Sequence, residues 1–192
     1  MFGSSRRGLA RRVGVPIVST VALVVAATGC ELSVDVPLTC NIVGPLFSQR
    51  IRSSITPDNL QRGGTVRVDL NVGWIAGRSE GTVREVELTL PLPLDLARVD
   101  QVTFDAGDLA GTWSVAGRQL VVRFTGAASE KTVQIPTMHV TGTVAADARG
   151  GEFPWRTLSS TAYVADHVDG VFESRCVPTD PATVINRSWV TG

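Results

Sequence analysis

The sequence predicts an all-β protein, an antiparallel sandwich of two sheets or a Greek-key arrangement, preceded by a signal peptide. After residue 30, apolar and polar residues alternate with a period of two, as in strands that bury one face. The 192 residues include 19 glycines and 10 prolines, so turns are frequent. No long segment carries the 3.6-residue apolar stripe of a helix. About nine or ten strands in ~140 residues favour a sandwich.

The first half of the domain contains the clearest strand, residues 66–74, where valine and leucine alternate with charged or polar residues. An apolar ladder follows over residues 86–96 and passes through Pro91 and Pro93. Because proline removes a ladder donor, we expect this strand to leave its sheet there or to lie at an edge. The other strands predicted in this half are residues 32–42, 47–55 and 102–104.

The second half begins with a predicted hairpin, residues 112–115 and 119–124, which turns at Gly117. Further strands are predicted over residues 133–135, 138–144, 157–164 and 171–176. Two short segments, 95–99 and 180–185, are the only helical candidates. The sequence thus divides into a signal peptide (1–29), a tether (30–35), a sandwich domain (36–177) and a loose C-terminal tail (178–192).

The first 29 residues have the three parts of a secretory signal peptide. A stretch with four arginines precedes an apolar run over residues 13–27 and the small residues Thr28 and Gly29. The run is shorter than the ~20 residues that a spanning helix needs, although a retained anchor helix is the alternative. Residues 5–9 resemble a twin-arginine export signal, and the general secretory route stays open. We therefore expect export.

Residues 27–30, Ala-Thr-Gly-Cys, resemble the lipobox of bacterial lipoproteins, in which the cysteine is lipidated and becomes the first mature residue. The resemblance implies a lipid on Cys30 that holds the protein at the outer face of the plasma membrane. Ala27 departs from the aliphatic residue usual at its position. The alternative is cleavage near Ala27, which leaves Cys30 as a thiol and the protein secreted.

Three cysteines are present, Cys30, Cys40 and Cys176. If Cys30 carries lipid, Cys40 and Cys176 remain as a pair in an oxidising compartment. The alternative pairs Cys30 with Cys40 and leaves Cys176 free. Because no Cys-x-x-Cys pair exists and only two histidines are present, we expect no metal site. Nothing around the cysteines resembles the setting of a nucleophile, so we expect no catalytic cysteine.

The composition and motifs give no indication of an enzyme or of a cofactor. The formal net charge is zero, and acidic residues outnumber basic ones by four after residue 30, which argues against nucleic-acid binding. Neither a Gly-x-Ser-x-Gly elbow nor a phosphate-binding glycine loop occurs. We interpret the remaining polar candidates as solvated loops, turns or sheet faces: Asp166, His167 and Asp169; Asp105 and Asp108; Glu85 and Glu87; and a solvent-facing His139.

The four tryptophans are interpreted in two ways. Core packing explains Trp74, Trp113 and Trp155 better than a binding platform does. Trp189 lies in the predicted tail beside Val190, and we therefore treat it as a possible contact point.

Three short motifs carry a resemblance to a known group of proteins: residues 38–40 with Gly44-Pro45, residues 135–142, and residues 176–181. Over residues 36–181 the chain resembles exported, immunoglobulin-like β-sandwich domains of unknown function in actinobacteria. The chain's 17 arginines against one lysine fit a high-GC genome. The resemblance implies a Cys40–Cys176 bridge and a role in the cell envelope. It implies no activity.

These observations lead to three functional hypotheses. The first is an exported, lipid-anchored cell-envelope protein that acts as a non-enzymatic binding or structural module, with an envelope protein, glycan or lipid as partner. The second is a carrier of an apolar ligand such as a lipid in the sandwich interior, suggested by the leucine ladder. The third is a hydrolase that uses surface acids or His167.

Overall fold

The computed structural model describes residues 31–41, 47–73, 81–129, 133–166 and 170–192. Over these residues the chain is all-β, as predicted, and it contains no helix that is long and apolar enough to cross a membrane. The strands are β1 (Glu31–Cys40), β2 (Phe47–Thr56), β3 (Asn59–Gln61), β4 (Thr65–Gly73), β5 (Thr82–Pro91), β6 (Leu96–Phe104), β7 (Leu109–Ala116), β8 (Gln119–Ser129), β9 (Met138–Val144), β10 (Gly151–Arg156), β11 (Ser159–Asp166), β12 (Gly170–Pro178) and β13 (Val184–Thr191).

Ten strands form one continuous antiparallel ladder in the order β6-β9-β4-β2-β1-β12-β11-β5-β8-β7. Its middle is narrow, because β1 pairs with β2 from Glu31 to Leu38 and with β12 only from Leu38 to Cys40. The strand thus passes from one five-stranded half to the other at Leu38. This crossover produces the two layers of the predicted sandwich.

The two halves face each other across an apolar core. Phe104 on β6 meets Phe124 on β8 with ring centroids 5.3 Å apart and rings at 75°, although these strands are near opposite ends of the ladder. A side chain at Gly111 on β7 would collide with the Phe104 ring. The alternating valines and leucines of the central strands fill the interior, which explains why the period-two pattern is so regular.

Three further strands form a second sheet in the order β10-β13-β3. This small sheet packs against β2, where the Ser53 hydroxyl donates to the Ile185 carbonyl and the Asn186 amide donates to the Ser53 carbonyl. The sheet contributes buried apolar side chains to the core, namely Leu60, Phe153, Trp155, Ile185 and Val190. The prediction of a loose tail is therefore wrong, since residues 184–191 form the central strand of this sheet.

Several local predictions are also wrong. Residues 31–35 belong to β1 and not to a tether, because they pair with β2. The helical candidates 95–99 and 180–185 are instead a turn that enters β6 and a turn that enters β13. Residues 133–135 are irregular and do not form the predicted strand, although Val133 and Ile135 are buried. The sequence did not predict β3 and β10. Short apolar runs were ambiguous in these places, and contacts distant in sequence decided them.

The two-residue turn that joins β7 and β8 confirms the predicted hairpin. Gly117 has φ 59°, the positive value that tight hairpin turns require and that glycine adopts without strain. The proline-interrupted ladder also behaves as expected, because β5 ends at Pro91 and the chain leaves the sheet. Leu88, Leu90 and Leu96 are buried, whereas Leu94 is 88% exposed in the connection between β5 and β6.

Candidate binding site: the Trp189 face and the cleft beside it

The predicted bridge is present, since Cys40 and Cys176 form a disulfide with their Cα atoms 4.1 Å apart. The two cysteines are register partners of β1 and β12, at the crossover between the halves of the sandwich. The pairing is therefore confirmed, and the alternative bond between Cys30 and Cys40 is wrong. Cys30 itself lies outside the described residues, so its lipidation stays a prediction.

Trp189 is 54% exposed at the middle of the outer face of the small sheet. The backbone around it is fixed from both sides, because β10 pairs antiparallel with β13 and β3 pairs parallel with it. Its own amide donates to the Asp58 carbonyl at 3.1 Å. Val190, the next residue, is buried beneath the sheet. The indole is thus presented on a well-supported strand and not on a mobile end.

The neighbours of Trp189 on this surface are polar. Glu152 is its register partner on β10 and accepts a hydrogen bond from Arg187 Nη1 at 2.7 Å. Asn59 is its partner on β3. We call this surface the Trp189 face, formed by Asn59, Gln61, Glu152, Pro154, Arg187, Trp189 and Thr191.

A cleft of about 580 Å³ runs along the free edge of β10. Pro91–Pro93, Leu94 and Gln119 line one wall, and Glu152, Phe153 and Pro154 line the other. Arg118 fixes the first wall by donating to the carbonyls of Pro93 and Leu96. Arg156 fixes the second side by donating to the Ala182 carbonyl at 2.8 Å. Because Glu152 and Pro154 belong to both features, the cleft and the Trp189 face form one continuous surface.

This surface suits binding. An exposed tryptophan held on a rigid strand offers a large apolar contact area at little cost in side-chain entropy. The surrounding ion pair and amides can donate to and accept from polar groups of a partner. Leu94 adds a second exposed apolar side chain at the cleft.

A second polar cluster lies on the outer face of β4 and β9, where the sequence predicted a solvent-facing histidine. His139 is in fact only 19% exposed. Its Nδ1 lies 2.6 Å from an Asp69 carboxylate oxygen, and its Nε2 lies 2.8 Å from an Asp105 oxygen. Arg67 Nε donates to the same Asp69 oxygen at 2.8 Å. Both ring nitrogens are therefore held by carboxylates. His139 on β9 thus connects to Asp69 on β4 and to Asp105, which directly follows β6.

The charges in this cluster shift two pKa values in opposite directions. Burial disfavours the imidazolium, but the hydrogen bonds to Asp105 and Asp69 outweigh it and raise the pKa of His139 above its ordinary value of 6.5. Burial likewise disfavours the Asp69 carboxylate, but hydrogen bonds from His139 and Arg67 lower the pKa of Asp69 below 3.8. Protonated His139 brings the cluster with Arg67, Asp69 and Asp105 to zero net charge.

We expect His139→Gln to reduce stability in a pH-dependent way. Because the pKa of His139 is raised in the folded state, its protonation stabilises the fold at pH values below 6.5, the pKa in the unfolded chain. This stabilisation is lost as the pH rises through the pKa of the folded state. Because the pKa of Asp69 is lowered in the folded state, its ionisation stabilises the fold at pH values above 3.8. This stabilisation is lost as the pH falls from 3.8 through the pKa of the folded state. The free energy of unfolding lost through His139→Gln should therefore be greatest between about pH 4 and pH 6.5. It should be about 1 kcal/mol or less, because the cluster is near the surface.

Urea unfolding at pH 5.5 and pH 9 measures this difference. Asn71→Ala is the matched control, because the Asn71 amide donates to the Thr137 hydroxyl on the same face without any titrating group. Its effect should be the same at both pH values. An equally pH-independent effect of His139→Gln would contradict the assignment.

The other polar candidates have simple roles in the described residues. Glu87 and Glu85 lie 2.7 and 4.0 Å from Arg123 Nε, so they share one arginine on an outer sheet face, as interpreted. Asp108 accepts a hydrogen bond from the Gln134 amide in the turn before β7. His167 and Asp169 lie outside the described residues. Among the described residues, no group of three His, Cys, Asp or Glu side chains is arranged to hold a metal ion.

The burial of the tryptophans agrees only in part with the prediction. Trp155 is fully buried, as expected, and packs edge-on against Phe153 at 6.4 Å. Trp113 is instead 39% exposed, because β7 ends the ten-stranded ladder and has no neighbour beyond it among the described strands. Trp74 lies outside the described residues. Its register partner Val122 is buried, so Trp113 points to the inner side of the sheet, but the sequence did not show that its strand is an edge.

The sequence found one part of the candidate site and missed the rest. Trp189 stood out as a tryptophan in a polar segment. The cleft was not found, because its walls come from the connection between β5 and β6 and from β10, about 60 residues apart. The available signal was the Pro91–Leu94 segment, where the apolar ladder continues in sequence although its prolines end the strand.

The chain matches no protein-family model and no curated protein. Its structure is similar to a cohesin module of a family 33 glycoside hydrolase from Clostridium perfringens, with 16% identity over 66% of this chain and 93% of the module, at a TM-score of 0.41. A non-cellulosomal cohesin from Archaeoglobus fulgidus shares 13% identity over 70% and 86%, at a TM-score of 0.39. The Corynebacterium diphtheriae major pilin SpaA shares 14% over 82% of this chain and 37% of the pilin, at 0.39. Similarity at this level says nothing about a shared partner or activity.

Proposed function

We propose that the protein is an exported, non-enzymatic binding module of the cell envelope that contacts its partner through the Trp189 face. The observation that supports this most is the half-exposed indole of Trp189 on the central strand of the small sheet. Tryptophan is one of the residues most enriched among those that dominate binding energy, and here it adjoins a cleft with a second exposed apolar side chain, Leu94.

Export is supported by the bridge between Cys40 and Cys176. Structural disulfides persist in oxidising compartments and are rare in the reducing cytosol. The signal-peptide pattern of residues 1–29 agrees with this, on independent grounds.

The chemistry of the described residues also favours binding over catalysis. A general base must have a nitrogen or oxygen atom free to take a proton from a substrate. Both nitrogens of His139 are already held by Asp69 and Asp105, and Glu87 is occupied by Arg123. These groups act as links between strands.

The leucine ladder does not favour the apolar carrier. Leu88, Leu90 and Leu96 are packed in the core. The apolar lining of the cleft at Leu94 lies at the surface, between β10 and the connection after β5. We therefore place the ligand on the outside of the sandwich.

Replacing Trp189 by alanine should weaken binding to the envelope by at least tenfold, since loss of a central aromatic contact costs about 2 kcal/mol. The probe is purified cell-wall sacculi, and co-sedimentation gives the dissociation constant. Parallel sacculi treated with protease distinguish a glycan partner from an attached protein.

Val171→Ala is the control, because it removes an exposed apolar side chain from β12 and leaves the small sheet untouched. Its binding should equal that of the wild type. Wild-type binding that Trp189→Ala leaves unchanged would overturn the assignment of the face. Absence of wild-type binding to both preparations would overturn the proposed envelope partner.

We further propose that a lipid on Cys30 holds the module at the membrane. Cells fed a radioactive fatty acid should incorporate label into the wild-type protein and not into Cys30→Ala. Intact mass of the wild-type protein should show a mature chain that begins at Cys30 and carries acyl groups. A mature chain cut near Ala27 without added mass would refute the anchor and leave a secreted protein.

A further inference from the structure

The described strands leave four sheet edges without a neighbour. β6 and β7 end the ten-stranded ladder, and β10 and β3 end the small sheet. A free edge presents unpaired N–H and C=O groups that can pair with a strand of another molecule. Proteins that stay monomeric block such edges with charges, prolines, bulges or short strands.

Three of the four edges carry such a block. β6 has two irregularities in its pairing with β9, and it carries the charged residues Arg98 and Asp100. β10 contains Pro154 between Glu152 and Arg156. β3 is only three residues long.

β7 has none of these features. It spans eight residues, Leu109–Ala116, without a charged residue or a proline. It pairs with β8 in an unbroken register along its whole length. Its last five residues are all exposed, and Trp113 and Val115 present large apolar side chains there. A long, regular, uncharged edge of this kind is suited to strand pairing.

We propose that β7 pairs antiparallel with β7 of a second copy of this chain, with the two Trp113 residues at the two-fold axis. An axis normal to the sheet keeps equivalent side chains on the same face. With Trp113 on the axis, Thr112 lies opposite Ser114 of the second copy, and Val115 lies opposite Gly111. These pairs combine a hydroxyl with a hydroxyl and a branched side chain with a small one.

Charge favours β7 as the place where two copies meet. After residue 30 the chain is net acidic, so two copies repel over most of their surfaces, whereas β7 carries no charge. Asp108 precedes β7 and accepts from the Gln134 backbone amide, and Arg118 follows it and donates to the Pro93 and Leu96 carbonyls, so neither has a charged partner among the described residues. The same register brings the position of Asp108 of one copy level with that of Arg118 of the other, at both ends of the paired strands. An ion pair between them requires Arg118 to release its two carbonyls.

The test is the mass of the processed protein in mild detergent, by density-matched sedimentation equilibrium. The wild type should have twice the protein mass of one chain, and the double variant T112K/S114K should have half the wild-type value, because each added lysine faces a lysine of the second copy. T112E/S114E should also be a monomer. An equimolar mixture of the two variants should regain the dimer mass.

Q101K/T103K places two lysines on the opposite edge strand, β6, and should remain dimeric. A monomeric wild type, or a dimer that T112K/S114K leaves intact, would overturn the proposal. Failure of the mixed variants to associate would overturn the register. None of these masses depends on Trp189, so this result is separate from that of the sacculus experiment.

Discussion

Replacing Cys40 and Cys176 together by alanine should lower the free energy of unfolding by about 4–5 kcal/mol, the largest effect that we expect from any variant. The bond closes a loop of 136 residues, and in the chain-entropy model such a closure removes many conformations from the unfolded state. It also lies where only three register pairs, Leu38 to Cys40, connect the two halves of the ladder. Equilibrium unfolding in guanidinium chloride measures the change.

The double variant avoids a leftover thiol, and the wild type under reductant provides the matched comparison. Reductant should destabilise the wild type by a similar amount and should leave the double variant unchanged. Ser174→Ala, next to Cys176 on the same buried side of β12, should cost far less. A loss below about 1 kcal/mol in the double variant would show that the crossover does not depend on the bridge.

Phe124→Ala should cost about 3–5 kcal/mol, the usual loss when a fully buried phenylalanine leaves a cavity. Phe124 contacts Phe104 edge-on at 5.3 Å, and this pair joins the two layers of the sandwich. A double-mutant cycle with Phe104→Ala should therefore give a coupling energy of about 0.5–1.5 kcal/mol. Urea unfolding of the four proteins gives both quantities.

Phe172→Ala is the control for side-chain size. Phe172 lies on β12 and is only partly buried, so its loss should be clearly smaller than that of Phe124. Strictly additive effects of Phe104→Ala and Phe124→Ala would mean that the two rings do not stabilise each other. The inference that this pair helps to join the two layers of the sandwich would then be wrong.

The fold class could be predicted because burial imposes a period on each strand. Residues 66–74 show this best, since Val66, Val68, Leu70 and Val72 are all buried on one face of β4. The proline-interrupted ladder predicted correctly where β5 leaves its sheet. Small sheets were harder to predict, because β3 and β10 are short and their partners are distant in sequence.

The candidate site was predicted only in part for the same reason. A tryptophan in a polar segment can be noticed from sequence, and Trp189 was. The identity of its neighbours depends on the pairing of β13 with β10 and β3, which joins segments up to 130 residues apart. His139 was misplaced because alternation gives the face of a strand and not the side chains that cover it. Asp69 and Asp105 come from other strands or their ends.

By itself, the amino-acid sequence determined the all-strand class, and it predicted a leader and two alternative cysteine pairings, because each depends on local periodicity, local composition or a count. Only the tertiary structure decided that the chain end is the centre of a second sheet, that β7 is an unblocked edge and that Trp189 adjoins a cleft. These properties arise from pairing between strands that are distant in sequence. Such pairing depends on complementary surfaces that no single segment contains.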